Sequence, residues 1–121
     1  MRAFFHLAEA GACELVSSPF AVDEARRNIA RKRPSSLVEL EALVARLALS
    51  PEAGAAGVLW ARSTGLPDKD APILAAAAAA GADLLVTGDR ADFGPLYGKR
   101  FRGVEVLPPR TAIERILAAK R

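Results

Sequence analysis

Apolar residues recur along this chain in two alternating rhythms, one helical and one of short unbroken runs. Residues 3–10 follow a helical pattern, and Gly11 stands where a helix-ending glycine belongs. Residues 13–18, CELVSS, form a short run that leans towards strand. Ser18 and Pro19 then open a helix. Serine is a good N-cap, proline suits the first helical position, Asp23 and Glu24 sit early, and Pro34 stops it. Ser36 and Glu39 have the spacing of a capping box, and Leu40, Leu43, Val44 and Leu47 follow at helical intervals. Residues 47–51, LALSP, leave that helix as a candidate strand. Residues 52–65 read as strand or helix, and helix is favoured. After Pro67 comes an alanine helix over residues 71–80, ended by Gly81. DLLVT is a buried strand, GVEVLPP is a second one stopped by Pro108 and Pro109, and RTAIERILAAKR closes as an amphipathic helix. Strands alternating with helices predict an α/β fold with a parallel sheet.

At 121 residues the chain fits one domain spanning 1–121, with a single core. Lys plus Arg number 17 against 14 Asp plus Glu, a mild excess that permits nucleic-acid binding without demanding it. One cysteine, Cys13, builds neither a disulfide framework nor a zinc site, which makes a reducing cytoplasm the expected setting. One histidine, His6, is a poor basis for a metal site or a triad. No apolar run is long enough to span a membrane, and Glu9 interrupts the N-terminal run too early for a signal peptide.

Candidate chemistry lies in the carboxylates that bracket the alanine helix. Asp68 and Asp70 precede it; Asp89 and Asp92 follow it. Each has a structural reading. Asp70 stands at an N-cap position, and Asp89 begins a turn after a strand. Together they suggest more, because in a parallel sheet the carboxyl ends of strands and the amino ends of helices share one edge, where ligands bind. That edge gathers Asp70, Asp89 and Glu24 from three separate segments. Clustered carboxylates repel one another and favour a cation between them. Hard oxygen donors without His or Cys select Mg²⁺ or Mn²⁺.

The stretch DAPILAAAAAAGADLLVTGDRADFGPLYG resembles the C-terminal half of the PIN-domain ribonucleases, particularly bacterial PIN proteins that include toxins of toxin–antitoxin pairs. ELVSSPFAVDEARRNI resembles their second strand and the helix that carries the second acidic residue. The likeness runs from about Ala8 to Pro109. It implies a PIN-like three-layer fold and hydrolysis of RNA phosphodiester bonds with Mg²⁺ or Mn²⁺, with RNA as substrate and an antitoxin protein as a candidate partner. By position, Glu24, Asp70 and Asp89 match the second, third and fourth acidic residues of the family and would be both catalytic groups and metal ligands. Asp92 matches a further acidic position, and Thr87 a polar residue beside the site. Asp23 lies next to Glu24, and Glu24 is preferred by its spacing from Ser18. Basic residues on the substrate side are Arg26 and Arg27 in ARRNIARKR, and Lys99 after the acidic loop; a solvated helix face is the alternative reading of ARRNIARKR.

The family opens with a strand ending in aspartate, and this chain starts at MRAFFHLAEAG, already in the helix that follows. One central strand and one ligand are therefore expected to be missing, through a late start, a truncation or loss of the site. The resemblance puts the missing strand between those matching ELVSS and LLVTG. Bare strand edges at such a slot are costly. The two strands are then expected to close on each other, or a second copy to fill the slot, or the chain to be marginally stable and associate; a dimer or higher oligomer is favoured. A non-catalytic PIN-fold module that binds RNA or protein is the alternative function. Two further readings are disfavoured. A phosphoaspartyl D-x-D box should follow an apolar strand, which DKD does not, and a receiver-like domain wants a lysine after a late strand, which VEVLPPRT lacks.

Overall fold

The fold is taken from a computed structural model, which describes residues 2–119. Helix α1 (Arg2–Glu9) leads to strand β1 (Val16–Ser17), helix α2 (Pro19–Lys32), a 3₁₀ turn (Pro34–Ser36) and helix α3 (Leu37–Val44). Strand β2 (Ala48–Leu49), helix α4 (Ala55–Arg62), helix α5 (Ala71–Ala79) and strand β3 (Leu84–Val86) follow. The chain ends in a 3₁₀ turn (Gly94–Leu96), strands β4 (Arg100–Phe101) and β5 (Val104–Leu107), and helix α6 (Pro109–Ala119).

Local chemistry accounts for most of these boundaries. Ser18 is an extended N-cap whose Oγ accepts the Ala21 N–H at 3.2 Å, and Pro19 occupies the first turn of α2 as expected. Gly81 adopts φ +70 just beyond α5, the left-handed conformation that ends helices. Ser36 differs from its expected role. It makes no side-chain cap bond, and α3 instead grows out of the preceding 3₁₀ turn, which already supplies a helical path. Residues 52–65 contain the helix α4.

The α/β alternation holds, and the sheet departs from the expected single parallel one in two respects. First, β5 pairs in parallel with β3 but antiparallel with β4. The hairpin between β4 and β5 turns on Arg102 and Gly103, with φ +51 and +84; two successive positive φ values match the right-handed twist of the strands. Without an Asn-Gly or Asp-Gly pair there, the sequence pattern did not reveal β4. Second, among the described residues β1 pairs only with β2, as a separate parallel ribbon.

Apolar alternation places helices on both faces of the larger sheet. Leu85 and Val106 pack into a core with Ala61, Leu66, Leu74, Ala75, Phe93 and Leu96, on the side of α4 and α5. Leu84, Val86 and Leu107 face the opposite way, with Phe4 of α1 and Ala112, Ile113 and Ile116 of α6. All four residues of β5 are buried, as a strand covered on both faces requires. Ala71 and Leu74 of α5 are fully buried, which fixes the amino end of that helix by packing.

Strands β1 and β3 do not pair with each other, so closure of the slot, one of the three expected outcomes, does not occur. A groove of about 1010 Å³ lies between them, lined by Val16, Ser17 and Val22 on one side and by Ile73, Ala77, Leu84 and Val86 on the other. Leu15 and Ser17 carbonyls accept the Ala48 and Ser50 N–H groups, so strand alternation turns the Val16 backbone polar groups away from β2. On β3, Asp83 O and Thr87 N bond to β5, which turns the N–H groups of Leu84 and Val86 to the unpaired edge. In dilute protein the amides of Leu84 and Val86 are therefore expected to exchange with solvent faster than that of Thr87, whose N–H reaches Leu107 O at 3.1 Å. Residue-resolved hydrogen exchange by NMR checks this; equal protection at all three positions would mean that the edge is covered.

Candidate metal centre

Two short segments bring three carboxylates together. The first is the turn that starts α5. Leu66 is buried, and the N–H groups of Asp70 and Ala71 both donate to Pro67 O, at 2.9 and 3.0 Å. This turn leaves Asp70 at the N-cap position with helical backbone angles, φ −103 and ψ −21. Its side chain makes no capping bond, so the capping role the sequence allowed for Asp70 is not used. The second segment is the loop after β3. The Asp89 N–H donates to Thr87 Oγ1 at 3.1 Å, and Asp89 Oδ1 accepts the Asp92 N–H at 3.1 Å. Phe93 N–H donates to Asp89 O at 3.0 Å, and the buried Phe93 ring anchors the loop. Tyr97 O–H donates to Thr87 O at 2.8 Å and holds the loop from the far side.

Carboxylate oxygens of Asp70, Asp89 and Asp92 all lie within 4.8 Å of one another. Opposite ligands of an octahedral ion with bonds of about 2.1 Å are about 4.2 Å apart, so small side-chain rotations would close the set around one. Asp70 is the inner member, 3% exposed, and its Oδ2 is buried with no hydrogen-bond partner. Such an atom is costly to leave bare, and it fits a hard cation. The Asp70 carboxyl is raised to about 6, first by burial and then by the hydrogen bond with Asp92 and the charges of Asp92 and Asp89, with Lys69 opposing. Asp92 is held below the usual carboxylate range, first by the bond from Asp70 and then by Lys69. Lys69 Nζ stands 3.2 Å from Asp92 Oδ2, and its own affinity for the proton is raised by that bond.

The remaining expected site residues are arranged as follows. Glu24 is half-buried in the second turn of α2 and is not one of the three grouped carboxylates. Asp68 points to Arg62 Nε at 3.0 Å, outside the group. Thr87 Oγ1 accepts the Asp89 N–H. Arg26 is engaged by Glu41 through two bonds of 2.7 and 2.8 Å and by Asp23 at 3.1 Å. Arg27 and Lys99 are exposed. Lys69 and Tyr97 were not anticipated as parts of the site. The lysine between two aspartates in DKD was the available signal for the first; the second had none.

Residues 1–91 match the family model described as PIN domain, three quarters of the chain. The chain belongs to the PIN-domain family. No curated protein and no solved structure gives a significant match. The PIN fold is a nuclease-type fold, and PIN domains generally use a divalent metal and typically bind RNA. In this PIN domain the match spans α5 and the loop to Ala91, and so includes Asp70 and Asp89. Among the described residues, no helix is long and apolar enough to cross a membrane.

The raised Asp70 carboxyl has a consequence for stability. Folding takes up a proton at Asp70 between the ordinary carboxylate range and pH 6. The stability this group contributes is therefore fully present below about pH 4 and lost as pH rises through 6. Asp70→Asn keeps a neutral group there at all pH values. It is expected to stabilise the metal-free protein at pH 7 by on the order of 1 kcal/mol, allowing for partial solvation of the cluster, or a few degrees in Tm. Thermal melts at pH 4.5 and 7.5 test this. The gain should shrink at the lower pH, and a loss of stability at pH 7.5 would contradict the buried, unpaired charge.

Proposed function

We propose that this chain is a metal-dependent PIN-type ribonuclease that hydrolyses RNA phosphodiester bonds with Mg²⁺ or Mn²⁺. The observation that carries the reading is the buried, unpartnered Asp70 Oδ2 beside the Asp89 and Asp92 carboxylates. Asp70, Asp89 and Asp92 would hold the ion; Glu24 of α2, expected as a further ligand, lies outside that group. When bound, the ion would lower the pKa of a water and offset charge on the phosphate. Neither covalent attack nor a histidine is needed, which suits a chain with one His and one Cys.

The protein's own groups divide the remaining work. Asp89 is fixed by its bonds to Thr87 and Asp92, so its carboxylate is preorganised. Thr87 Oγ1 accepts from Asp89, which leaves the hydroxyl hydrogen to donate to a substrate oxygen. Arg27 and Lys99 supply exposed cations for flanking phosphates. Arg26 would join them only by giving up Glu41. RNA as substrate and a single cysteine suit a reducing, cytoplasmic setting. A role as the toxin of a toxin–antitoxin pair, with an antitoxin protein as partner, extends the same reading.

The double variant Asp70→Asn/Asp89→Asn is expected to lose Mn²⁺-stimulated RNA cleavage by at least about 100-fold, since even outer-shell partners of a metal are worth 10–100-fold. Cleavage of a fluorogenic RNA with and without Mn²⁺ measures it, and a parental rate in the double variant would sink the mechanism. A non-catalytic binding module is the second reading, favoured by the position of Glu24 outside the three-carboxylate group. It predicts Mn²⁺ and RNA binding by the parent protein with no cleavage in the same assay.

The bare edges of β1 and β3 support association of two or more copies. Sedimentation velocity over a 100-fold range of about 1–100 µM, near usual association constants, should show mass rising with concentration. A single monomeric species across that range, with Leu84 and Val86 still exchanging freely, would rule association out.

A further inference from the structure

The acidic cluster carries a cation of its own. Lys69, the residue before Asp70, reaches Asp92 Oδ2 at 3.2 Å, and the negative charges of Asp70 and Asp89 act on the same ammonium. Three carboxylates within 4.8 Å repel one another, and in the metal-free protein the described cation that meets this charge is Lys69. The turn that buries Asp70 also sets Lys69 on the open side of the group, where its side chain is 70% exposed. An ammonium on a flexible four-carbon stem is easily released, and an exposed ion pair is worth little.

We propose that Lys69 is a tethered counter-ion of the acidic cluster, holding it together when no metal is bound and expelled when a divalent ion binds. The inference rests on the metal-site reading above and adds a residue to it. Two cationic groups cannot share the seat between Asp92 and its neighbours, and a doubly charged ion bound by three carboxylates outweighs one exposed ammonium. Lys69 thus competes with the ion by charge and by position. After release it stays on the rim of the site, where an anionic substrate approaches.

Titration with Mn²⁺ by calorimetry, and with Mg²⁺ by NMR of the lysine side chains, tests this in the intact protein. Lys69→Met should bind Mn²⁺ about 5-fold more tightly than the parent, the worth of a strong exposed ion pair. The Lys69 side-chain signals of the parent should shift on adding Mg²⁺ and saturate together with binding. Unchanged Mn²⁺ affinity in Lys69→Met overturns the proposal while leaving the metal site standing. Tighter binding with Lys69 signals that do not move overturns it too, because a distant field would act without displacement. If neither protein binds Mn²⁺ or Mg²⁺, the metal-site reading falls, and this proposal with it. Binding by Lys69→Met alone supports competition most strongly.

Discussion

One carboxylate oxygen taken out of water without a partner governs the arrangement of this protein's polar edge. Asp70 could have served as an ordinary helix cap, exchanging its solvation for bonds to the first N–H groups of α5. Its backbone is instead already helical, and the side chain turns away from the cap into the gap beside Asp89 and Asp92. That costs desolvation of a charge, visible as a carboxyl pushed up to about 6. Such a cost persists only where the surroundings hold the residue in place. They do so here through close packing. Ala71, Leu74, Ala75 and Ala76 are all buried, and Ala71, Leu74 and Ala75 share one core with Ala61 of α4. The alanine run is thus a smooth contact surface that fixes the start of α5 without help from a cap.

The same reasoning separates what the sequence made legible from what it did not. Element types followed from local signals: Ser18-Pro19 opened α2, Gly81 ended α5, and two unbroken apolar runs became β3 and β5. Asp70, Asp89 and Asp92 were legible because they bracket one helix and one strand, so that two short turns suffice to bring them together. Glu24 comes from a different layer. Its position relative to the others depends on how α2 and its ribbon sit beyond the groove, which no local pattern encodes. β4 was hidden because its turn relies on an arginine at positive φ, and Lys69 because an exposed lysine between two aspartates looks like any solvated charge.

The split of the strands into a ribbon and a three-stranded sheet is the other large feature, and it has a backbone origin. Apolar side chains line the groove on both walls, yet side-chain burial alone does not explain its cost. The costly atoms are the N–H and C=O groups of Val16, Leu84 and Val86, which face it without strand partners. Helices cover both faces of the larger sheet, so whatever satisfies those groups has to be extended and apolar on both sides. Water can solvate an open groove, but it cannot supply the packing that Leu84 and Val86 lack on that edge.

These two features meet at Thr87. It follows β3 directly, lines the groove, donates its N–H to Leu107, accepts the Asp89 N–H on its hydroxyl, and accepts Tyr97 O–H on its carbonyl. The geometry of Asp89 is therefore set by the path of β3, and that strand is ordered on one edge only. A segment seated in the groove would pair the free edge of β3 and stiffen the backbone immediately before Thr87. Loss of order there would loosen Asp89 first and Asp92 through it, because the Asp92 amide is held by Asp89 Oδ1. Asp70, fixed by helix packing on the other side, would stay where it is. The carboxylates thus have unequal support: one is anchored by a buried helix, and two are carried on a loop that runs from a half-paired strand to the buried Phe93. Association at the groove and order at the acidic cluster are in this way consequences of the same short strand.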